Sequence, residues 1–109
     1  MTSARERIRA LNDELRIHRK VGKVVITSGV AALPAATILK LDTAVATFTD
    51  FDASNDPYEE HDFGALEVDG TDFFFKIDTY DLSGQFASPD PGDPTVTVRV
   101  MTIMRADEY

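Results

Sequence analysis

The dipeptide Asp69-Gly70 stands between two runs of alternating polarity, and it constrains the fold more than any other feature of the chain. Asp-Gly tolerates positive φ at both central positions, the requirement of the type I′ turn whose twist matches paired strands. A turn at that point pairs Val68 with Thr71. Leu66 then faces Phe73 and Gly64 faces Phe75 on one side of the ribbon. Ala65 with Phe74 and Phe63 with Lys76 fall on the other. A slip of one residue would send every side chain to the opposite face. Because turn and alternation agree, a hairpin is predicted over 63–78 with Leu66, Phe73 and Phe75 buried. Glu67 opposite Asp72 carries a mild like-charge cost that places this corner in water.

The remaining elements follow from other periodicities. Thr2 to Arg19 reads as a helix, with Ser3 and Glu6 at capping-box spacing and Ile8, Leu11 and Leu15 in a narrow apolar stripe. Its five arginines give it a basic face; packing on a sheet edge suits so short a stripe better than binding RNA or a membrane. Gly22 ends the segment. Lys23 to Ser28 is β-branched and predicts a strand that Gly29 breaks. Pro34 suits the first turn of a second helix, which carries Ile38, Leu41, Val45 and Phe48 inward and ends near Thr49. Residues 50–62 form a loop, with a turn at Asn55-Asp56 before Pro57. Residues 80–94 hold three prolines and two glycines and form a long irregular connection, a kind of segment that often carries function. Thr95 to Met104 is apolar on both faces and predicts a central strand. The order α-β-α-β-β-β implies one α+β domain over 1–109. Its sheet is expected to be four-stranded and mostly antiparallel, with two helices on one face.

Charge is divided unevenly. Residues 1–49 carry eight Lys/Arg and four Asp/Glu, a net of 8 − 4 = +4. Residues 50–109 carry three Lys/Arg and fifteen Asp/Glu, a net of 3 − 15 = −12. An acidic half repels nucleic acid, whose binding rests on phosphate neutralisation, and attracts a basic partner. The chain has no cysteine, which excludes disulfides, thiol nucleophiles and thiolate zinc sites. It has no apolar run long enough to span a bilayer, and its first twenty residues lack the apolar core of a secretory signal, so a cytoplasmic protein is expected.

The loop over 50–62 concentrates six carboxylates in thirteen residues with no Lys or Arg. Asp50, Asp52, Asp56, Tyr58, Glu59, Glu60 and Asp62, with Asp78 and Asp81 on the hairpin exit, form the candidate binding set. Asp69 and Asp72 extend the same acidic surface. Two other readings attach to the loop. Its Asp and Asn side chains can simply cap turns. Asp56, Glu60, His61, Asp62 and Asp78 can alternatively hold a divalent metal, since imidazole with carboxylates suits Zn, Mn or Fe. The EF-hand template fails, with Pro57 where Gly is required and Phe63 where the bidentate Glu is required. No H-E-x-x-H spacing, nucleophile elbow or phosphate-binding loop occurs. His61 and Asp62 are adjacent, which in extended chain points them to opposite sides, and His18 is expected to face solvent from a basic helix.

Several strings resemble a bacterial family catalogued as a domain of unknown function, DUF3768. They are RIRALNDELR at 7–16, ITSGVAALP at 26–34, NDPYEEHDFG at 55–64, KIDTYD at 76–81, SPDPGDP at 88–94 and TVRVMTIMRADEY at 97–109. Two positions depart from the family pattern, in which a glycine commonly stands at the place of Glu59 and an aromatic at the place of Thr79. The resemblance implies cargo of plasmids and integrative elements, and hence an anti-defence or accessory role, but no activity and no catalytic residue.

The reading that results is a non-catalytic acidic interaction module, with no cofactor expected. It would occupy the basic groove of a nucleic-acid-handling enzyme, such as a restriction or CRISPR effector, without itself binding nucleic acid or membrane. The alternative is a small metal-binding protein or metal-dependent hydrolase.

Overall fold

The computed structural model describes residues Ser3 to Tyr109; the expected helix start at Thr2 lies outside them. Helix α1 spans Ala4–His18, with the Ser3 hydroxyl accepting from the Glu6 amide. Arg19 closes it in the left-handed region at φ 57°. Strand β1 (Lys23–Ile26) is followed by the single-turn helix α2 (Ser28–Ala31) and by helix α3 (Ala35–Ala46). The hairpin consists of β2 (Phe63–Val68) and β3 (Thr71–Tyr80), and the last strand is β4 (Val98–Arg105).

The hairpin has the expected register throughout, from Phe63 opposite Lys76 to Val68 opposite Thr71. Asp69 and Gly70 both take positive φ, 51° and 78°, as a type I′ turn requires. Gly64 is needed for close approach: a Cβ there would lie 2.2 Å from the Phe75 ring.

The fold class is α+β with a four-stranded sheet in the order β1-β4-β3-β2. The sheet is mixed, not mostly antiparallel, because β1 pairs with β4 in parallel. Strand composition carries no direction. Direction is set by α2 and α3, which carry the chain from β1 at one edge to β2 at the other. Among the described residues there are three α-helices, not two, since Ser28-Gly29 opens α2 in place of ending a strand. Pro34 is the N-cap of α3 rather than part of its first turn, and β4 starts at Val98 after a 3₁₀ turn over Pro94–Val96. Leu15, Val30, Leu41 and Val45 from the helices join Phe73, Phe75, Ile77, Met101 and Ile103 from the sheet in one core. No helix among the described residues is long and apolar enough to cross a membrane.

This topology places both irregular stretches together. The 50–62 loop delivers the chain to the start of β2, and residues 81–97 join the end of β3 to the start of β4. β2 begins where β3 ends, so both lie at one end of the sheet and Asp69-Gly70 lies at the other.

Phe75 is fully buried against Phe48, with ring centroids 5.3 Å apart. Phe75→Ala is expected to cost about 3–5 kcal/mol in urea unfolding, the usual penalty for truncating a core aromatic. Near-native stability would show that this ring is not part of the core.

Candidate functional site

The acidic loop is built on its own side chains. The Asp52 carboxylate accepts from the Ser54 amide (2.8 Å), the Ser54 hydroxyl (2.6 Å) and the Asn55 amide (3.1 Å). These bonds, the Ser54 hydroxyl first, hold its pKa below the usual carboxylate value. Asn55 ties the Asp50 carbonyl and the Asp52 amide into the same turn. Asp56 lies inside, 5% exposed, with one oxygen accepting from the amides of Glu60 (2.9 Å) and His61 (3.0 Å). That single carboxylate holds a sharp return in which Glu59 and His61 both take φ 55°. The turn-capping reading of these residues is therefore realised in the fold.

The loop docks on α1 through Asn12 and Asp13, which sequence reasoning passed over, and Arg16 lies inside rather than on the basic face of that helix. His61 Nδ1 lies 2.8 Å from Asp13, and its Nε2 lies 3.7 Å from Asp56. Its ring stacks on Phe51 at 3.9 Å and 6°. Asp13 also accepts from Arg16 at 3.0 Å. Arg16 is buried, and its Nη1 sits 3.0–3.1 Å from the carbonyls of Val45, Ala46 and Phe48 at the end of α3. The guanidinium also lies 5.2 Å from the Phe51 ring centroid. Asn12, buried beside it, donates to the Glu60 carbonyl at 2.9 Å and accepts from Arg99 at 2.7 Å. A signal for this face was present in the sequence: Ile8, Asn12 and Arg16 follow one another at i, i+4 and i+8, so the two polar residues continue the apolar stripe.

The predicted binding residues thus separate into groups. Asp50, Asp52, Tyr58 and Glu59 are exposed; Glu60, Asp62, Asp78 and Asp81 are half-buried; Asp56 is buried. Asp69 and Asp72 lie at the far end of the sheet, about 30 Å along β3 from Asp81 at the usual rise per residue. Asp69 is bound there by Lys40 at 2.9 Å and Thr37 at 3.0 Å. The loop is also less isolated from cations than its own composition implies, since Arg9 approaches Glu59 at 3.9 Å and Arg5 acts on Glu60. Arg9, Phe51, Asp52, Pro57, Glu59 and His61 border an open cleft of about 400 Å³. Among the described residues no group of three or more His, Asp and Glu side chains is placed to hold a metal ion.

Burial raises the pKa of Asp62, with the carboxylates of Asp56 and Asp78 adding to the effect. Burial likewise raises Glu60, with Asp62 beside it. Asp81 is held low by the Ser83 hydroxyl.

One family model matches the chain, over residues 26–108, and its description is "Protein of unknown function (DUF3768)". No curated protein and no solved structure matches.

Two outcomes follow from this geometry. Arg16→Met removes the donors that satisfy the end of α3 and is expected to destabilise by about 3–5 kcal/mol, as when one partner of a buried charge network is lost. Urea unfolding measures it, and a loss below about 1 kcal/mol would show that water replaces the guanidinium at these carbonyls. The second outcome is a pH dependence. A carboxyl group whose pKa is raised on folding binds more protons in the native state. Stability therefore falls as pH climbs through and above the ordinary aspartate value of 3.8. Asp62→Asn is expected to gain stability over the native chain as pH rises from 3.5 to 7, in urea melts at each pH. A difference independent of pH would contradict the assigned environment of Asp62.

Proposed function

The chain belongs to the DUF3768 family, and we propose that it is a non-catalytic interaction module whose loop-bearing end docks on a basic surface of a partner protein. The observation that carries this reading is the display of Asp50, Asp52 and Glu59, with Tyr58 between them, on a loop whose shape is fixed by internal hydrogen bonds. A surface ordered before binding loses little entropy on association. Asp62, Asp78 and Asp81 lie at the same end and add to its negative field. Tyr58 is 65% exposed, an amphipathic ring of the kind that anchors protein interfaces.

A nucleic-acid-handling enzyme supplies the natural counterpart, since its groove must be basic. The module would compete there with the phosphate backbone, sterically and electrostatically. An anti-restriction or anti-CRISPR role, carried by a mobile element and exerted in the cytoplasm, is the biological form of this reading. The metal-dependent alternative gains no support from the geometry: the His61 ring is engaged by Asp13, and Asp56 is committed to two backbone amides.

The test uses restriction nucleases and CRISPR effectors as probes, with displacement of duplex DNA followed at two salt concentrations. Asp50→Lys combined with Glu59→Lys is expected to slow association about tenfold and to flatten its salt dependence, because exposed charges act mainly by steering. The melting temperature should move little, as both sites are exposed. Association indifferent to both salt and charge reversal would sink the proposal.

A further inference from the structure

Arg99 is a buried cation that is paired with no carboxylate among the described residues. It sits in β4 beside Met101 and Ile103, opposite Thr79, and is 1% exposed. Its Nε donates to Asn12 Oδ1 at 2.7 Å and its Nη2 donates to the Pro91 carbonyl. Its Nη1 is buried with no hydrogen-bond partner among the described residues. Burial alone lowers its pKa. A guanidinium so placed depends on its neutral acceptors, because a lost acceptor leaves another buried donor unpaired. Asn12 is equally committed. Its Oδ1 serves Arg99 and its Nδ2 serves the Glu60 carbonyl at 2.9 Å.

The relay therefore runs from Pro91 through Arg99 and Asn12 to Glu60, and on to Asp56 through the Glu60 amide. Its two ends lie in the two irregular stretches that share one end of the sheet. Moving residues 88–93 strands an Arg99 donor; moving the 50–62 loop strands an Asn12 donor. Both stretches display large apolar side chains: Tyr58 on the first, Leu82 (66% exposed) and Phe86 (69% exposed) on the second. Asp90 and Asp93 add carboxylates to the second.

We propose that the 50–62 and 81–93 loops form one composite surface for a basic protein partner, coupled through Arg99 so that engagement of one loop holds the other against opening. The choice of a basic partner rests on the interaction reading above; the coupling does not. Charge complementarity selects a cationic protein surface, and the exposed apolar side chains select one with hydrophobic pockets beside its charges.

Hydrogen exchange on the full chain tests the coupling without any partner. The Thr97 hydroxyl lies 2.9 and 2.8 Å from the carbonyls of Asp90 and Asp93, and 2.7 Å from the Ser88 hydroxyl. Thr97→Val therefore loosens 88–93 without touching the other loop. It is expected to speed exchange of the Glu60 and His61 amides several-fold, with the Phe75 and Ile103 amides unchanged as a control for global stability. In Asn12→Asp, which keeps an acceptor for Arg99 but loses the donor to Glu60, Thr97→Val should no longer affect those two amides. Equal effects of Thr97→Val in both backgrounds, or none in the native chain, would overturn the coupling. Octa-arginine at low salt serves as the basic probe. It is expected to slow exchange at Glu60 and His61 and also at Gly92 and Asp93. Slowing at one loop only would overturn the composite surface. Slowing at neither would overturn the choice of a basic partner and leave the coupling to be decided by the Thr97 cycle.

Discussion

The buried guanidinium of Arg16 is the contact on which the arrangement of this protein depends. The last carbonyls of a helix have no partner within it, and here three carbonyls at the end of α3 converge on one side chain of α1. The same guanidinium holds Asp13 and lies against the rings of Phe51 and Phe75. A cation at this position also complements the negative end of the helix dipole. With Arg16 seated, the rotation of α1 is fixed. Asn12 and Asp13 then face the acidic loop, and Leu15 enters the core. Without it, α1 would retain one fully buried apolar side chain and a set of partly exposed ion pairs that contribute little.

The acidic residues of the second half do structural work before any of them meets a partner. Asp52, Asp56, Asp81 and Asp93 each accept from amides or hydroxyls a few residues ahead, and so shape the turns in which they stand. Glu108 does the same at longer range, receiving bonds from Thr27 and Gly29 and tying the end of the chain to α2. Concentrated carboxylates repel one another, and the raised values of Glu60 and Asp62 mark where that repulsion, added to burial, is felt. Glu59 stands at φ 55°, a conformation that glycine adopts freely. The glutamate here exchanges that conformational ease for one more exposed charge.

The hairpin was legible from sequence because everything that sets it is local. An Asp-Gly turn and a period of two lie within sixteen residues, and each confirms the other. The inward positions Leu41, Val45 and Phe48 were legible for the same reason, as spacings along a single helix. β1 was recognisable as a strand but its direction in the sheet was not, because direction depends on where the intervening helices deliver the chain. The acidic composition of the 50–62 loop could be read directly, and so could its tendency to cap turns. Which of its carboxylates face water could not. Asp56 and Asp52 have the same chemistry, yet one is buried under the return of the loop and the other is exposed. The pairing of His61 with Asp13 spans 48 residues and that of Arg99 with Asn12 spans 87. A polar residue on an apolar stripe signals that it must find a partner, since a buried donor left unpaired is costly. Sequence by itself set Asn12 and Arg16 along the apolar stripe of α1 and Arg99 within an apolar strand; only the packing of α1 across the sheet buried them and decided their partners, because both rest on distances that no local pattern encodes.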